Sequence, residues 1–361
     1  MSNCTKGFPK VTVGMDLGDR FSQLCFLNAE AEVVERKRIR TTPEAVREEF
    51  ENRDRLRIAL ETGTHSPWVS ELLKECGHEV IVANSRRLAI IYKNKNKSDK
   101  TDAETLARVA RADPKLLAPI KHRARKIRRH LSILRSRDSL VGVRKNLINH
   151  VRGTVKSYGA RLPRCSAPAF HNKVPEFIPE GLAGFLTPVL KLIGNLTQTI
   201  KQFDKSISDA CEKLYKETDR LRQPKGVGPI TALAYILILE DPRRFKRARQ
   251  VGAFLGLTPR RDDSGDSKPQ LRITKSGDKF LRRLLVNCAQ YILGPFGEDS
   301  DLRQHGLAIA KRGGKNAKKR AVVAVARKLS VLLYRLWVTG EEYEPLRNTK
   351  RKVRPRTERV A

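Results

Sequence analysis

Short apolar runs broken by tight turns fill the first third of the chain. Residues 11–16 (Val-Thr-Val-Gly-Met-Asp), 22–28 and 32–40 predict three strands. Helical spacing follows over 43–53, then a strand at Arg57–Glu61, a helix over 67–76, a strand at His78–Ala83 and a helix from Asp102 to Arg111. Three strands followed by βαβα units imply an α/β domain with a mixed sheet. From about 120 to 157 the pattern turns helical, with Leu131, Leu134, Val141, Leu147, Ile148 and Val151 as an apolar stripe. Pro163, Pro168, Pro175 and Pro179 mark 159–181 as a loop. Residues 182–221 are helical again, with Leu186, Leu190, Ile193, Leu196 and Ile200 near i, i+3/i+4 spacing. Two long helices around a loop suggest a hairpin arm, either a dimerising coiled coil or part of a plain bundle. From 224 the chain is Gly-rich and globular, and no internal repeat is visible. The tail from Asn348 is basic, lacks apolar content and is expected to be disordered without a partner.

Composition adds the partner. The chain has 361 residues, 74 Lys+Arg against 39 Asp+Glu, and a net charge of +35. Such a surplus self-repels unless a polyanion neutralises it, and nucleic acid fits better than an anionic membrane. No apolar run is long enough for a transmembrane helix, no signal peptide is visible, and a cytoplasmic, nucleoid-associated protein is expected. Cys4, Cys25, Cys76, Cys165, Cys211 and Cys288 are scattered without a CxxC pair, and read as free thiols. The charge is uneven: residues 1–83 hold 12 basic and 14 acidic side chains, whereas 84–160 hold 21 and 5, and 301–361 hold 17 and 5. Cations that grip a nucleic-acid backbone are thus segregated from carboxylates that can hold metal.

Those carboxylates have a pattern. Asp16 ends the first strand in Gly14-Met15-Asp16-Leu17-Gly18, and Glu61 ends the fourth in Leu60-Glu61-Thr62-Gly63. A carboxylate at a buried strand end is costly unless something binds it, although a turn-capping role is equally open. Asp99 and Asp102, in Lys97-Ser98-Asp99-Lys100-Thr101-Asp102-Ala103, stand three apart at a helix start and share one side, where N-capping is the alternative. Together the four suit two hard divalent cations, Mg²⁺ or Mn²⁺, able to polarise a phosphodiester. Asp19 and Glu104 rank below them. The strand order and this Asp–Glu–Asp–Asp set resemble RuvC-like nucleases of the RNase H fold.

Downstream, Lys225-Gly226-Val227-Gly228-Pro229-Ile230 looks like the hairpin of a helix-hairpin-helix, whose glycines let backbone N–H groups meet a phosphate, or like an ordinary Gly-Pro helix start. Arg260-Arg261-Asp262-Asp263-Ser264-Gly265-Asp266-Ser267, with Lys268 and Arg272 nearby, reads as a polar surface turn or as a serine presented to a phosphate.

Four stretches in this order are similar to the insertion-sequence-110 family of transposases, also called DEDD or bridge-RNA-guided recombinases. They are Val13–Gly18, Leu60–Ser66, Lys97–Ala103 and the block from Gly226 to Arg283. That block contains Gly256-Leu257-Thr258-Pro259-Arg260, Ser264-Gly265, Arg272-Ile273-Thr274-Lys275-Ser276-Gly277 and Leu281-Arg282-Arg283. The resemblance implies a RuvC-like domain over 1–115, a coiled-coil linker over 116–222, a mainly α-helical transposase domain over 223–340 and a basic tail over 341–361. It implies recombination of element and target double-stranded DNA, guided by a structured noncoding RNA, in a homo-oligomer (dimer or tetramer) where one subunit's metal site meets another's serine. Carried over by position, Asp16, Glu61, Asp99 and Asp102 are metal ligands for two ions, and Ser264 is the nucleophile of a phosphoserine link. Asp263 and Asp266 flank that serine, and Ser267, then Ser276, are the other hydroxyls in view. The histidines His65, His122, His130, His150 and His171 have no metal-like spacing and read as RNA-contacting or incidental.

Backbone contacts are expected from Lys121, Arg123, Arg125, Lys126, Arg128 and Arg129, from Arg260, Arg261 and Arg272, from Gly226 and Gly228, and from Lys315, Lys318, Lys319 and Arg320. Aromatics are only 6% of the chain, so shape and backbone recognition outweigh base stacking. Two competitors remain: a RuvC-like Holliday-junction nuclease with no covalent intermediate, and a non-enzymatic RNA- or DNA-binding protein.

Overall fold

A computed structural model describes residues 9–85, 99–267, 269 and 271–348. Cys4, Lys97, Ser98, Lys268 and the tail beyond Asn348 lie outside the described residues. The chain divides into two compact units, between Arg123 and Ala124.

The first unit runs β1 (Thr12–Leu17), β2 (Phe21–Leu27), β3 (Val33–Arg40), α1 (Pro43–Phe50), β4 (Arg57–Glu61), α2 (Ser66–Glu75), β5 (Glu79–Ala83) and α3 (Asp99–Ala112). The sheet order is β3-β2-β1-β4-β5. β1, β2 and β3 are antiparallel neighbours, while β4 and β5 run parallel to β1. The mixed α/β sheet expected from the sequence is therefore present.

Side-chain alternation gives the sheet two buried faces. Val13, Met15, Leu24, Phe26, Ile58 and Leu60 point to the face covered by Val46 and Phe50 of α1 and Val69 and Leu73 of α2. α1 starts where Thr42 accepts the Ala45 N–H and Pro43 takes the first turn. The opposite face belongs to α3. Ala103 and Ala107 pack on Cys25 and Leu27, while Leu106 and Ala110 pack on Ala59, Ile81 and Ala83. Gly14 permits this closeness: a Cβ there would lie 1.8 Å from the Ala103 carbonyl oxygen. At the far end of α3, Arg111 donates to the carbonyl oxygens of Ala29 and Lys10. The C-terminus of α3 thus lies at the start of β1, and its N-terminus at the end of β1. The described part of the helix runs from Asp99, a turn before the apolar spacing indicated, and Asp99 and Asp102 suit its first turn.

The second unit is helical. α4 (Arg125–Ser157) and α5 (Glu180–Leu214) pack side by side. Near one end Ile148, Val151 and Val155 meet Leu182, Leu186, Leu190 and Ile193; towards the other, Leu131 and Leu134 share a core with Ile207 and Cys211. The middle is polar. Arg144 is buried and donates to Thr197 Oγ1 at 3.3 Å, and Arg137 pairs with Asp204 at 2.6 Å. Burial, reinforced by Arg137, depresses the Arg144 guanidinium pKa.

Two expectations change here. Residues 159–181 are not plain loop: helical turns form over 167–177, because Phe170 and Val174 are fully buried against the helix pair. The helix expected over 182–221 breaks after Leu214, where Tyr215 leaves helical geometry and Thr218 donates to its carbonyl oxygen. α6 (Thr218–Arg222) follows.

α7 (Pro229–Leu239) is the hub. Thr231 through Leu239 are all buried, and none is charged. It contacts α4, α5, α6 and α9 (Lys279–Leu293), and Tyr235 donates to the Ser330 carbonyl oxygen of α11 (Ala317–Thr339). α8 (Arg249–Phe254) and α10 (Asp301–Lys311) complete the unit. No described helix is long and apolar enough to cross a membrane.

Candidate active site

The register of the first unit brings two sequence-nominated carboxylates together. Met15 pairs with Leu60 on the parallel β4, so the next residues, Asp16 and Glu61, end adjacent strands side by side. Both have the parity of Gly14 and Ala59, hence they share the α3 face. On α3, Asp99 and Asp102 precede Ala103 and Leu106 by one turn, extending its sheet-facing stripe toward that strand end. Asp16, Glu61 and Asp102 are half-buried, and Asp99 is exposed.

An all-carboxylate oxygen set suits hard divalent cations and not soft metals. Among the described residues no group of three His, Cys, Asp or Glu side chains is gathered closely enough to hold a metal ion. Strand register and the α3 packing supply the approximate placement.

Of the lower-ranked acids, Glu104 is engaged elsewhere and Asp19 is exposed. Glu104 is bound by Arg36 and Arg108, and the hydrogen bond from Arg36, then that from Arg108, lowers its carboxyl pKa. Asp19 sits 3.7 Å from His65 Nε2, while His65 Nδ1 accepts from Trp68. His122 Nε2 lies 3.0 Å from Ser66 Oγ, and His130 Nδ1 lies 2.6 Å from the Tyr215 hydroxyl. These histidines are tied into their own surroundings.

Ser264 lies at the tip of a hairpin that sequence periodicity did not reveal. Pro259 bridges Ile273, Arg260 N–H donates to the Arg272 carbonyl, and Thr274 N–H donates to Thr258. At the tip Ser264 and Ser267 exchange backbone hydrogen bonds of 3.2 and 3.0 Å around Gly265, whose φ is +53°. Both serines are exposed, as are Arg260, Arg261, Asp263, Asp266 and Arg272. Ser276 belongs instead to the hairpin base, where its hydroxyl pairs with Thr274 and its backbone presses on Gly256.

Gly226 has φ +93°, and a Cβ would strike the Tyr291 ring at 2.8 Å. Gly228 caps α7 with no side-chain hydrogen bond, on the rim of a cavity of about 190 Å³ lined also by Arg137, Thr231 and Phe280. Of the basic residues, Lys121, Arg125, Lys126, Arg129, Lys315, Lys318, Lys319 and Arg320 are exposed, with Arg123 and Arg128 half-buried. The sequence reading passed over Arg38, which shares the α3 face. The available signal was the alternation of Arg36, Arg38 and Arg40 along one strand.

A DEDD model described as "Transposase" matches residues 13–160, the stretch carrying all four carboxylates. A second, described as "Transposase IS116/IS110/IS902 family", matches residues 218–301, which include Gly226 and the serine hairpin. A transposase for insertion sequence element IS1111A from Coxiella burnetii is 32% identical over 261 residues, covering 70% of each chain. A probable family 20 transposase from Pseudomonas aeruginosa is 28% identical over 342 residues, 92% of this chain and 98% of its own. A pilin gene-inverting protein from Moraxella bovis is 24% identical over 289 residues, 78% and 80% of the two chains. These matches define an enzyme class, the transposases, recombinases that cut and transfer DNA strands. Within it the chain belongs to the IS110/IS116 family of insertion-sequence transposases. The DEDD class works with divalent metal ions.

Proposed function

We propose that this transposase exchanges strands between element and target duplexes under the direction of a structured RNA, through a two-metal carboxylate site and a phosphoserine intermediate. The observation that carries the reading is the register placing Asp16 beside Glu61 on the face over which α3 brings Asp99 and Asp102. The sheet order, with three antiparallel strands and two parallel ones, supports a RuvC-like, RNase H-type fold for that domain. Asp16, Glu61, Asp99 and Asp102 would hold two ions, Mg²⁺ or Mn²⁺. Divalent cations supply polarisation of the phosphodiester and stabilisation of its attacking and leaving oxygens.

Ser264 Oγ attacks phosphorus at the hairpin tip. The Oγ–P bond forms as one P–O bond to a sugar breaks; the serine proton leaves to base, and the freed sugar oxygen takes up a proton. Attack by another sugar hydroxyl reverses the step, so ester energy is kept without ATP. The exposed arginines Arg260, Arg261 and Arg272 supply positive charge for the phosphate. A relative named for gene inversion is in keeping with strand exchange between two sites. The net charge of +35 supports holding an RNA as well as two duplexes. The coiled-coil role of α4 and α5, the hairpin-type phosphate contact at Gly226 and Gly228, the homo-oligomer and the division at 115, 222 and 340 are parts of the same proposal.

The test is trapping of protein–DNA adducts on denaturing gels with element junction DNA, guide RNA and Mg²⁺. Wild type gives an adduct; Ser264→Ala gives none, and Asp16→Ala cuts nothing. An adduct of undiminished yield from Ser264→Ala overturns the serine assignment, in which case Ser267, opposite it at the tip, is next. Cleavage with no adduct from wild type favours the junction-nuclease reading.

A further inference from the structure

The end of the sheet that carries Asp16 and Glu61 continues sideways into a cationic row. Asp16 pairs with Gln23 on β2, and Gln23 pairs with Arg38 on β3. Paired residues on neighbouring strands share a face, so Glu61, Asp16, Gln23 and Arg38 form one cross-sheet row. Its facing is fixed independently: Arg36, two residues before Arg38, reaches Glu104 on α3, whereas Lys37 reaches Glu49 on α1 behind the sheet. Arg40 follows on the same face, opposite Phe21.

Arg38 is built to be available. It is exposed, and no ion pair involves it among the described residues. Its guanidinium lies 4.0 Å over the ring of Phe21, itself 40% exposed at the start of β2. Stacking on an aromatic face holds the guanidinium plane while leaving its N–H edge free for a phosphate. Residues 1–83 carry more acids than bases, so charge alone does not explain unpaired arginines beside a carboxylate centre. A polyanion crossing that centre does.

We infer that Arg38, steadied by Phe21 and assisted by Gln23 and Arg40, grips the backbone of the DNA strand being cut, a few nucleotides from the scissile phosphate. Strands are ~4.8 Å apart, so Arg38 is about 10 Å from Asp16 across the sheet, within about three nucleotides at ~3.4 Å of rise each. Arg38 is a positioning residue: it fixes the register of the strand and touches no reacting atom. This rests on the carboxylates being the cleavage centre.

The experiment uses the full chain, Mg²⁺, guide RNA and element junction DNA carrying single neutral methylphosphonate linkages stepped outward from the cut. In wild type, one linkage within about three nucleotides of the cut lowers kcat/KM about tenfold; in Arg38→Ala the same linkage costs less than about twofold, as expected when both changes remove one contact. On unmodified DNA, Arg38→Ala raises KM about tenfold, leaves kcat within about twofold, and Arg38→Lys recovers part of the loss. The unfolding temperature stays unchanged because the side chain is exposed. Equal methylphosphonate penalties in wild type and Arg38→Ala overturn the inference, as does a loss confined to RNA binding. Asp16→Asn separates the two ideas: if it cleaves normally, the carboxylate reading fails; if it is inactive while the penalties stay equal, only the Arg38 inference fails.

Discussion

Gly14→Ala is the sharpest probe of how the carboxylates are placed. The new Cβ would stand 1.8 Å from the Ala103 oxygen, 2.6 Å from the Ala107 nitrogen and 2.9 Å from the Ala103 carbonyl carbon. All three atoms are backbone, so no side chain can swing aside. Ordinary contact begins near 3.4 Å, which requires α3 to lift from β1 by about 1.6 Å, the difference from 1.8 Å. Overpacking of this kind costs about 1–3 kcal/mol or more. The lift also loosens Ala103, Leu106, Ala107 and Ala110, all buried against the sheet. Asp99 and Asp102 ride on the same helix, and a 1 Å misplacement can cost about 10²-fold in rate. The expected outcome is faster hydrogen exchange in β1 and α3, with protection of α7 unchanged, and strand cleavage reduced at least about 10²-fold. Wild-type exchange and cleavage in Gly14→Ala would refute the seating of α3 on β1 and, with it, the route by which Asp99 and Asp102 reach the strand ends.

Two further outcomes concern the second unit. Arg144→Met removes a buried charge and is expected to leave stability equal or raise it by ~1–3 kcal/mol, whereas Thr197→Val strands the guanidinium and costs about 1–3 kcal/mol; urea denaturation distinguishes them. His130 and His305 are held below the ordinary histidine pKa, His130 by burial and then Lys126 and Arg129, His305 by burial and then Lys328 and Arg312. Below about pH 6.5 the unfolded chain therefore binds more protons than the native one, and stability falls as pH drops from 6.5 toward the lowered native values. His130→Gln should flatten that fall between pH 7 and 5, and an unchanged slope would exclude His130 as a contributor.

The first unit was legible because its strands are short, apolar runs closed by turns, and β1, β2 and β3 pair in chain order. Asp16 and Glu61 could be nominated from strand ends alone, but their adjacency needs the parallel β1–β4 register, a nonlocal fact. Asp99 and Asp102 could be placed at a helix start from sequence, but not over the strand ends, which needs the packing of Ala103 and Leu106 on the sheet. The serine hairpin escaped because its ladder pairs Pro259 with Ile273 across a polar insertion. Arg144 escaped because a cation is expected to face solvent although its position, between Val141 and Ile148, lies on the buried stripe, and Phe170 because proline-rich surroundings masked its burial. Arg38 required the face to be known first.

The hub helix imposes an order on synthesis. α7 is apolar on every side, yet α9 and α11, which help to enclose it, are encoded 40 to 100 residues later. With α4, α5 and α6 already made, the faces of α7 that α9 and α11 cover stay open until residues 279–339 emerge, a state open to aggregation or chaperone capture. Chains cut short by frameshift or decay of the element would retain those faces without their cover.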